Sequence, residues 1–581
     1  MINTLKKILY LITINERKNA ALLLLMTIIV SLVDMIGIAS ILPFMAVVTN
    51  PSLVETNEFL KFFFNFLSIF GVENNNQFLL ALGIIVFLFL ILSVFFKAIT
   101  SYFKTLFINM LEYNISKRLI EKYLHQPYSW FLNRNSANLG KNLLSEVQNV
   151  THGGILALID LIGSGIITIS LLVLIILVNP ALTTIAGVLL IGAYLIIYLF
   201  LNNYINHLGK ERTINNLLRF TIVSEAFGAI KEVKVKGLEK TYIESFSKSS
   251  KIFSKTQATS QAIALLPRFI LEAIAFGGIL LIIIYFIYQT GNLSYALPII
   301  SLYVFVGYRL LPSLQQIYSS LTQLTFVGSA LNKLYDDIKI LSPIFKDQDQ
   351  DILKFNKSIT LSNVYYSYPN SSRTALQNIN LTIPIKSKVC IVGPTGSGKT
   401  TTIDIILGLL EPQKGTLKVD GKVITNKNVT SWQRIIGYVP QQIYLTDDTI
   451  TANIAFGADL NNIDKLSIER ASKIANLHEF ITNELPEKYQ TIVGERGVRL
   501  SGGQRQRIGI ARALYFKPKL LILDEATNAL DKQTEQAVMD SISSISKDIT
   551  IIKIAHRLNT VKNSDIIFKF EKGRLIEQST L

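Results

Sequence analysis

The chain has 581 residues, of which 50% are hydrophobic, and its formal net charge is +16 at pH 7. A mean hydropathy of +0.39 excludes an ordinary soluble protein of this length. The basic residues lie largely between hydrophobic segments, without any nucleic-acid motif, so they indicate loops kept in the cytoplasm rather than nucleic-acid binding. Cys390 is the only cysteine, which excludes an intrachain disulfide.

The first part of the chain contains six segments that are long and apolar enough to cross a membrane. A transmembrane helix needs about 20 predominantly apolar residues. The predicted spans are residues 20–46, 78–103, 154–178, 181–202, 265–288 and 293–315. Basic residues are concentrated before the first span and in the two long loops, so the positive-inside rule places the N-terminus and both loops in the cytoplasm.

Two segments next to the spans carry their own helical apolar pattern. MLEYNISKRLIEKYL, residues 110–124, predicts that the membrane helices extend well into the cytoplasm. EFLKFFFNFLSIF, residues 58–70, is too short to span a membrane and has polar flanks. It predicts either a helix that lies in the outer membrane interface or a packed extracellular cap.

The composition changes after the last span. A connecting helix leads into KDQDQD at residues 346–351, which is a polar and charged linker. From residue 352 onwards strands alternate with helices, a pattern typical of a largely parallel sheet. The predicted domains are a transmembrane domain with long intracellular helices over 1–335, a linker over 336–351 and an α/β domain over 352–581.

A phosphate-binding loop lies in SKVCIVGPTGSGKTT, residues 387–401, between a β-rich run and a helical run. Its glycines let backbone N–H groups surround phosphate oxygens, Lys399 reaches the β- and γ-phosphates, and the Thr400 hydroxyl is placed to ligate Mg²⁺. The strand before and the helix after are the context that this motif requires, so the sequence predicts a site for ATP and Mg²⁺. The predicted nucleotide-binding residues here are Gly393, Thr395, Gly396, Ser397, Gly398, Lys399, Thr400 and Thr401.

Two adjacent carboxylates follow an apolar strand in KLLILDEATNALD, residues 519–531. Asp524 is predicted to hold Mg²⁺, and Glu525 to orient or deprotonate the water that attacks the nucleotide. Solvation at a strand end is the simpler interpretation of such a pair. The preceding phosphate loop favours the catalytic interpretation.

LSGGQRQR, residues 500–507, resembles the signature of ABC transporters, and the resemblance extends over nearly the whole chain. It implies a six-helix, exporter-type transmembrane bundle followed by an α/β P-loop nucleotide-binding domain. It also implies functional roles for residues that, taken singly, do not indicate a function. His556 alone, for example, is more simply interpreted as structural. The implied roles are adenine stacking for Tyr368, Mg²⁺ sensing for Gln441, γ-phosphate contact for His556, a D-loop position for Asp531, and signature positions for Ser501, Gly502, Gly503 and Gln504.

The resemblance implies a dimer, because the signature stands at a helix N-terminus that suits the γ-phosphate held by a partner's phosphate loop. One nucleotide domain and six spans per chain indicate a half-transporter. Glu525 and the signature both match the active pattern, which favours a homodimer and leaves a degenerate partner chain as the alternative.

Three cations interrupt the apolar spans: Lys97, Arg268 and Arg309. A charged side chain within hydrocarbon costs about 2.5–3.5 kcal/mol on insertion scales. Helix direction places all three in the inner half of the membrane, where they either extend to lipid phosphates or bind an anionic head group. Glu272, one turn from Arg268, and Asp34, in the first span, are candidate ion-pair partners.

The stretches LLPRFILE, YRLLPS and VFFKAITSY are similar to those of bacterial flippases for lipid-linked oligosaccharides. This resemblance implies ATP-driven flipping of a polyprenyl-pyrophosphate glycan from the cytoplasmic to the outer leaflet of the bacterial cytoplasmic membrane. It implies that Lys97, Arg268 and Arg309 contact the pyrophosphate. The expected partners are a second copy of the chain, the glycan lipid and membrane lipids, and no nucleic acid.

Other functions stay open at this point. The protein could export another amphiphile, such as a lipid A-type lipid, a drug or a peptide. It could instead be an ATP-gated channel or a sensor that uses the nucleotide domain as a switch. An intact Glu525 favours turnover, since a pure gate tolerates its loss.

Overall fold

The computed structural model describes residues 2–178, 180–290, 297–341, 353–369, 371, 373–526, 530–544, 548–555 and 564–580. The chain divides into two compact units. The first consists of Met1–Gln126 and Arg134–Ser342, and the second of Pro127–Asn133 and Pro343–Leu581.

Helices build the first unit. Its helices are α1 Ile2–Leu11, α2 Ile14–Ala39, α3 Ile41–Thr49, α4 Leu53–Thr56, α5 Glu58–Ser68, α6 Asn75–Leu124, α8 Ser136–Lys141, α9 Val147–Val150, α10 Ala157–Val178, α11 Pro180–Gly228, α12 Ile230–Lys236, α13 Glu239–Thr290 and α14 Leu297–Ile340. Two π-helical turns, Asn142–Glu146 and Thr151–Leu156, join α8, α9 and α10 into one helical run.

Four helices are much longer than a membrane is thick. Helices α6, α11, α13 and α14 have 50, 49, 52 and 44 residues. At a rise of 1.5 Å per residue they measure about 66–78 Å, more than twice a hydrocarbon core of about 30 Å. These lengths agree with the predicted extension of the membrane helices beyond the bilayer.

The predicted spans lie on α2 with α3, and on α6, α10, α11, α13 and α14, although residues 293–296 of the last span are outside the described ranges. Among the described residues, three helical stretches are long and apolar enough to cross a membrane: Ile14–Thr49, Asn75–Leu124 and Ser136–Val178.

The first span differs from its prediction as one helix, because it breaks at Ser40 between α2 and α3. The Ser40 hydroxyl donates to Gly37 O at 2.7 Å. Pro43, in the first turn of α3, has no N–H for the hydrogen bond that would continue α2.

Helix α5 packs one face on the first unit and leaves the other uncovered. Leu60 is buried in a cluster with Val54 of α4 and Phe78 of α6, which also includes Val47 of α3. Phe59, Phe62 and Phe66 are exposed. The helix therefore has a packed side, as the cap interpretation requires, and an apolar outer side, as the interfacial interpretation requires.

The second unit combines two sheets with short helices. Its helices are α7 Tyr128–Phe131, α15 Lys399–Ile406, α16 Val429–Gln433, α17 Ile450–Ile454, α18 Lys465–Ile474, α19 His478–Asn483, α20 Gly502–Tyr515 and α21 Lys532–Ser544. Its strands are β1 Ser358–Ser367, β2 Thr374–Pro384, β3 Lys388–Val392, β4 Lys414–Val419, β5 Lys422–Val423, β6 Ile436–Val439, β7 Leu520–Asp524, β8 Thr550–Ala555, β9 Ile566–Glu571 and β10 Arg574–Thr580.

The larger sheet has the strand order β10-β9-β3-β8-β7-β6, and all its pairs except the β10–β9 edge pair are parallel. The sequence predicted this largely parallel sheet. The structure adds a separate antiparallel sheet in the order β2-β1-β4-β5. Antiparallel neighbours such as β1 and β2 need only a short connection, whereas parallel ones need a crossover.

The parallel sheet is covered on both faces, as parallel sheets require. On β7, Leu520 and Ile522 belong to one buried cluster, and Leu521 and Leu523 to the other. Strand β8 lies between β3 and β7, so the carboxyl ends of these three strands meet at one edge. Ligands of such sheets bind beyond that edge.

Candidate functional site

The loop between β3 and α15 has a backbone that glycine is needed to form. Gly398, the residue before α15, has φ of +102°. A Cβ there would lie 2.7 Å from Leu376 Cδ2 and 3.0 Å from Ala375 O. The loop thus holds its shape only without a side chain at this position, and it leads directly into the free N–H groups of a helix N-terminus.

Lys399 points back into this loop. Its Nζ donates to Gly393 O and to Pro394 O, each at 2.9 Å. Burial lowers the pKa of Lys399, although the nearby Glu525 and Asp524 act in the opposite direction. The ammonium is therefore held inside the loop, where the predicted phosphate oxygens would lie.

The loop opens into a cavity of about 740 Å³, which gathers Tyr368 and six of the eight phosphate-loop residues predicted to bind nucleotide. Its described lining residues are Tyr368, Ser371, Arg373, Ala375, Thr395, Gly396, Gly398, Lys399, Thr400, Thr401, Gln441 and Glu525. Ser397, in the same loop, is buried, and its Oγ has no hydrogen-bond partner among the described residues.

Tyr368 forms one wall of the cavity. Its Oη lies 3.0 Å from Thr401 Oγ1, and its ring meets that of Tyr366 edge-on at a centroid distance of 5.2 Å. Burial raises the pKa of Tyr368. The hydroxyl contact fixes the ring beside the first turn of α15, which suits the adenine-stacking role that the resemblance implied.

Gln441 and Glu525, which also line the cavity, are in direct contact. Gln441 Nε2 donates to Glu525 Oε2 at 2.8 Å. Glu525 has φ of +51°, a left-handed conformation that costs a non-glycine residue roughly 1–2 kcal/mol. Such local strain is typical of functional sites. Asp524, which precedes it, ends β7 and is buried.

The predicted Mg²⁺ ligands suit a site that the nucleotide completes. Thr400 and Gln441 line the cavity, and Asp524 ends the neighbouring strand β7. In the described part of the chain no group of three or more His, Cys, Asp or Glu residues could hold a metal. Mg²⁺ characteristically takes one or two carboxylates and fills its octahedron with phosphate and water oxygens. The residues therefore fit ATP with Mg²⁺.

The signature residues begin helix α20. Ser501 is the N-cap: its Oγ accepts from Gln504 N at 3.2 Å, and Gln504 Oε1 accepts from Ser501 N at 2.7 Å. None of the described residues that line the cavity comes from 501–504. This placement is consistent with the implied role of Ser501, Gly502, Gly503 and Gln504 on the nucleotide of a partner.

Asp531 and His556 complete the predicted series. Asp531 accepts from Thr534 N at 2.9 Å at the start of α21, and this bond lowers the pKa of Asp531. His556 lies outside the described residues. Its contact with the γ-phosphate stays a prediction.

Sequence reasoning missed Ser371 and Arg373, which also line the cavity. Both lie in the short connection between β1 and β2, directly after Tyr368. A cation in that connection was the available signal, because a positive charge beside a triphosphate is favourable.

The three membrane cations are paired with carboxylates. Asp34 contacts both Lys97 and Arg309, the latter at 3.8 Å from its Nη2 to Asp34 Oδ1. Arg268 Nε lies 2.7 Å from Glu272 Oε1, one turn away on α13. Three cations and two carboxylates leave a formal charge of +1 per chain, well below the +3 of three unpaired cations.

The structure brings Lys97 and Arg309 together at Asp34, whereas Arg268 pairs separately with Glu272. Arg268 lines a cavity of about 550 Å³ in the first unit. The described lining residues are Tyr194, Arg268, Glu272, Phe276, Val304, Gly307, Tyr308, Leu311, Pro312, Gln315 and Gln316, without Lys97 or Arg309.

Comparisons with known proteins agree with these features. The family described as "ABC transporter transmembrane region" matches residues 22–310, and the family described as "ABC transporter" matches residues 376–528. A bacterial Atm1-family ABC exporter with ATP bound has a similar structure, with a TM-score of 0.77 and 23% sequence identity. That match covers 97% of this chain and 95% of the exporter chain.

Two curated relatives are similar in sequence. The ATP-dependent lipid A-core flippase of Cupriavidus metallidurans is 30% identical over 80% of this chain and 78% of its own. ATP-binding cassette sub-family B member 10, mitochondrial, from Mus musculus is 33% identical over 69% of this chain. The second alignment spans 57% of the mouse protein, less than two thirds of its length.

Proposed function

Because the chain belongs to the ABC transporters, as an exporter-type half-transporter that uses ATP and Mg²⁺, we propose that it flips an anionic lipid across the membrane. The proposed substrate is a polyprenyl-pyrophosphate-linked oligosaccharide, moved from the cytoplasmic to the outer leaflet. The observation that carries the proposal is the Arg268 cavity, which combines a cation and aromatic rings with polar atoms that have no hydrogen-bond partner among the described residues.

The polar side of this cavity supports a phosphorylated sugar head. The Arg268 side chain is 60% exposed, so its guanidinium donors are accessible beside the Glu272 contact. Tyr194 Oη and Gln315 Oε1 are buried without a hydrogen-bond partner in the described part of the chain. An unsatisfied buried polar group costs about 1–3 kcal/mol. A head group that bonds to these atoms would remove that cost.

The apolar side of the molecule supports a long tail. Phe276, Val304 and Leu311 line the same cavity. The exposed phenylalanines of α5 offer a second apolar surface, next to the extracellular end predicted for the bundle. A lipid with a charged head and a long chain matches both kinds of surface.

The proposed cycle uses two copies of the chain. Half-transporter exporters typically dimerise with ATP bound, and the intact Glu525 and signature favour identical partners. Two ATP molecules would close the nucleotide domains, and the helices of about 66–78 Å would carry closure to the bundle. Hydrolysis would reset the dimer. We place the protein in a bacterial cytoplasmic membrane with its N-terminus and nucleotide domain in the cytoplasm.

A lipid A-type lipid is the second candidate. The similarity to a protein named ATP-dependent lipid A-core flippase, over 80% of this chain, favours it. Both candidates share a phosphorylated sugar head and apolar tails, so the same arginine cavity would suit either. They differ in the tail, which is one long chain in the first and several acyl chains in the second.

The test uses purified protein in proteoliposomes. A lipid-linked oligosaccharide with a labelled glycan is added, and its accessibility across the bilayer is followed with and without ATP. ATP-dependent movement that Glu525→Gln abolishes is the expected result. No movement, with ATP hydrolysis that lipid A stimulates, would keep the exporter and transfer the substrate assignment to the second candidate. Stimulation by drugs or peptides instead would keep the exporter and exclude both lipid candidates.

A further inference from the structure

Asp34 lies deeper in the first unit than the two cations it contacts. Its side chain is 3% exposed, whereas those of Lys97 and Arg309 are 31% and 24% exposed. The Ser93 hydroxyl, itself buried, donates to the same carboxylate. The carboxylate is therefore covered, while both cations keep a surface that a ligand can reach.

Asp34 neutralises the two cations only in part. At 3.8 Å, Arg309 Nη2 is attracted to Asp34 by charge but is beyond hydrogen-bond distance from it. Two cations share one carboxylate, so the group keeps a formal charge of +1. An isolated carboxylate buried here would be very unfavourable, and the two adjacent cations offset that cost.

We propose that Asp34 is a positioning residue that holds Lys97 and Arg309 between transport events and is replaced at them by the anionic head of the lipid. This inference rests on the proposed function: it adds Lys97 and Arg309 to Arg268 as contacts of the anionic head, and it adds Asp34 as the residue that sets how strongly the head group binds. A pyrophosphate brings more negative charge than Asp34 and accepts several hydrogen bonds, so it competes well. A monophosphate competes less well, and a neutral head does not compete.

The competing explanation is that Asp34 only packs the helices together. The two explanations predict opposite changes in anion affinity when the charge of Asp34 is removed. If Asp34 competes with the ligand, then removing its charge tightens the binding of an anion. If Asp34 is only structural, removing its charge loosens the bundle and binding weakens or stays the same.

The test uses the full-length protein in detergent and three probes with the same tail: farnesyl pyrophosphate, farnesyl monophosphate and farnesol. Calorimetric titration gives the dissociation constants for wild type and Asp34→Asn. We expect Asp34→Asn to bind farnesyl pyrophosphate about tenfold more tightly than wild type. The gain should be smaller for the monophosphate and absent for farnesol.

Glu16→Gln is the matched control, because Glu16 is another buried carboxylate of the first unit and pairs with Arg118 at 3.0 Å. It should leave all three dissociation constants within about twofold of wild type. An equal gain for Glu16→Gln would show a general charge effect and overturn the role of Asp34. Equal or weaker pyrophosphate binding by Asp34→Asn would also overturn it.

Asp34→Asn leaves two cations without a carboxylate, which could prevent folding. A second pair of variants therefore tests the inference independently. Lys97→Met keeps a one-to-one Asp34–Arg309 pair, and the double variant with Asp34→Asn leaves Arg309 alone. The double variant should bind farnesyl pyrophosphate more tightly than Lys97→Met, and the reverse order would overturn the inference. Failure of the proposed function is a separate result, namely the absence of ATP-dependent glycan movement by wild type in proteoliposomes.

Discussion

Gln441 Nε2 donates a hydrogen bond to Glu525 Oε2 at 2.8 Å, although 84 positions separate the two residues in the chain. The contact joins the predicted Mg²⁺-sensing residue to the predicted catalytic carboxylate beside the phosphate loop. It orients the Glu525 side chain, whose backbone is held at φ of +51°. The hydrogen bond therefore fixes the position of the carboxylate beside the phosphate loop.

Glu525→Gln should abolish turnover while ATP still binds. The amide keeps the size and the acceptor oxygen of the carboxylate but removes the base that orients or deprotonates water, so hydrolysis should fall by at least about 100-fold. Phosphate release and nucleotide binding, measured on the same preparation, check this. Glu577→Gln, at an exposed position of β10, is the control. Hydrolysis at the wild-type rate in Glu525→Gln would show that the catalytic assignment is wrong.

Substitutions of Tyr368 should separate stacking from its hydroxyl contact. Tyr368→Phe loses only the 3.0 Å contact with Thr401 Oγ1, so ATP affinity should change by less than about fivefold. Tyr368→Ala loses the ring, and a stacking contribution of about 1–3 kcal/mol predicts at least about fivefold weaker binding. Titration with a fluorescent ATP analogue measures both. Equal losses in the two variants would argue against adenine stacking.

Arg268→Met should impair transport more than it impairs ATP hydrolysis. The change removes the cation of the cavity and leaves Glu272 there, which would repel an anionic head. Glycan movement in proteoliposomes should fall at least about tenfold. Lys104→Met is the control, since Lys104 pairs with Asp160 at 2.8 Å and is not among the described cavity residues. Undiminished movement in Arg268→Met would support the interpretation that Arg268 only reaches lipid phosphates.

The double substitution Phe62→Ser and Phe66→Ser should slow the transport of lipids with long tails only. These two rings belong to the uncovered face of α5, so their loss removes apolar surface without opening the packed side. Movement of a long polyprenyl substrate should slow several-fold, and movement of a short-chain analogue should not. Lys61→Ser, an exposed change on the same helix, is the control. An equal loss with both tails would contradict a tail contact.

Lys553→Met should stabilise the second unit at neutral pH. Lys553 is buried on β8, and burial lowers its pKa from 10.5 to about 8. Below pH 8 the folded state bears the cost of a buried charge, so removing it should add about 1–3 kcal/mol to the free energy of unfolding. As the pH rises from about 8 towards 10.5, the folded lysine loses its proton before the unfolded one does, and the gain should shrink.

Tryptophan fluorescence measures this change, because both tryptophans of the chain, Trp130 and Trp432, belong to the second unit. Unfolding midpoints of Lys553→Met and wild type are compared between pH 6.5 and 9.5. Lys422→Met, on an exposed strand position, should show no such pH-dependent difference. A gain that grows with pH would contradict the assigned cause.

The sequence by itself determined the main features that short runs of contiguous residues encode. The apolar spans, the phosphate loop up to Lys399 and the strand that ends in Asp524 depend on local periodicity and on motifs a few residues long. Hydrophobicity and backbone conformation act locally, so these patterns predict the bundle, the parallel sheet and the ATP site. The ABC transporter resemblance rested on the same short motifs, and the family comparisons confirmed it.

Only the tertiary structure decided which charges meet. Asp34 and Lys97 lie on different helices, and their contact depends on how α2 and α6 are rotated and shifted against each other. The sequence offered Asp34 as a candidate partner, yet spacing within one helix carries no information about the facing side of another. The tertiary structure also showed that Arg309 meets the same carboxylate as Lys97, whereas Arg268 pairs within its own helix, where one-turn spacing had already indicated Glu272.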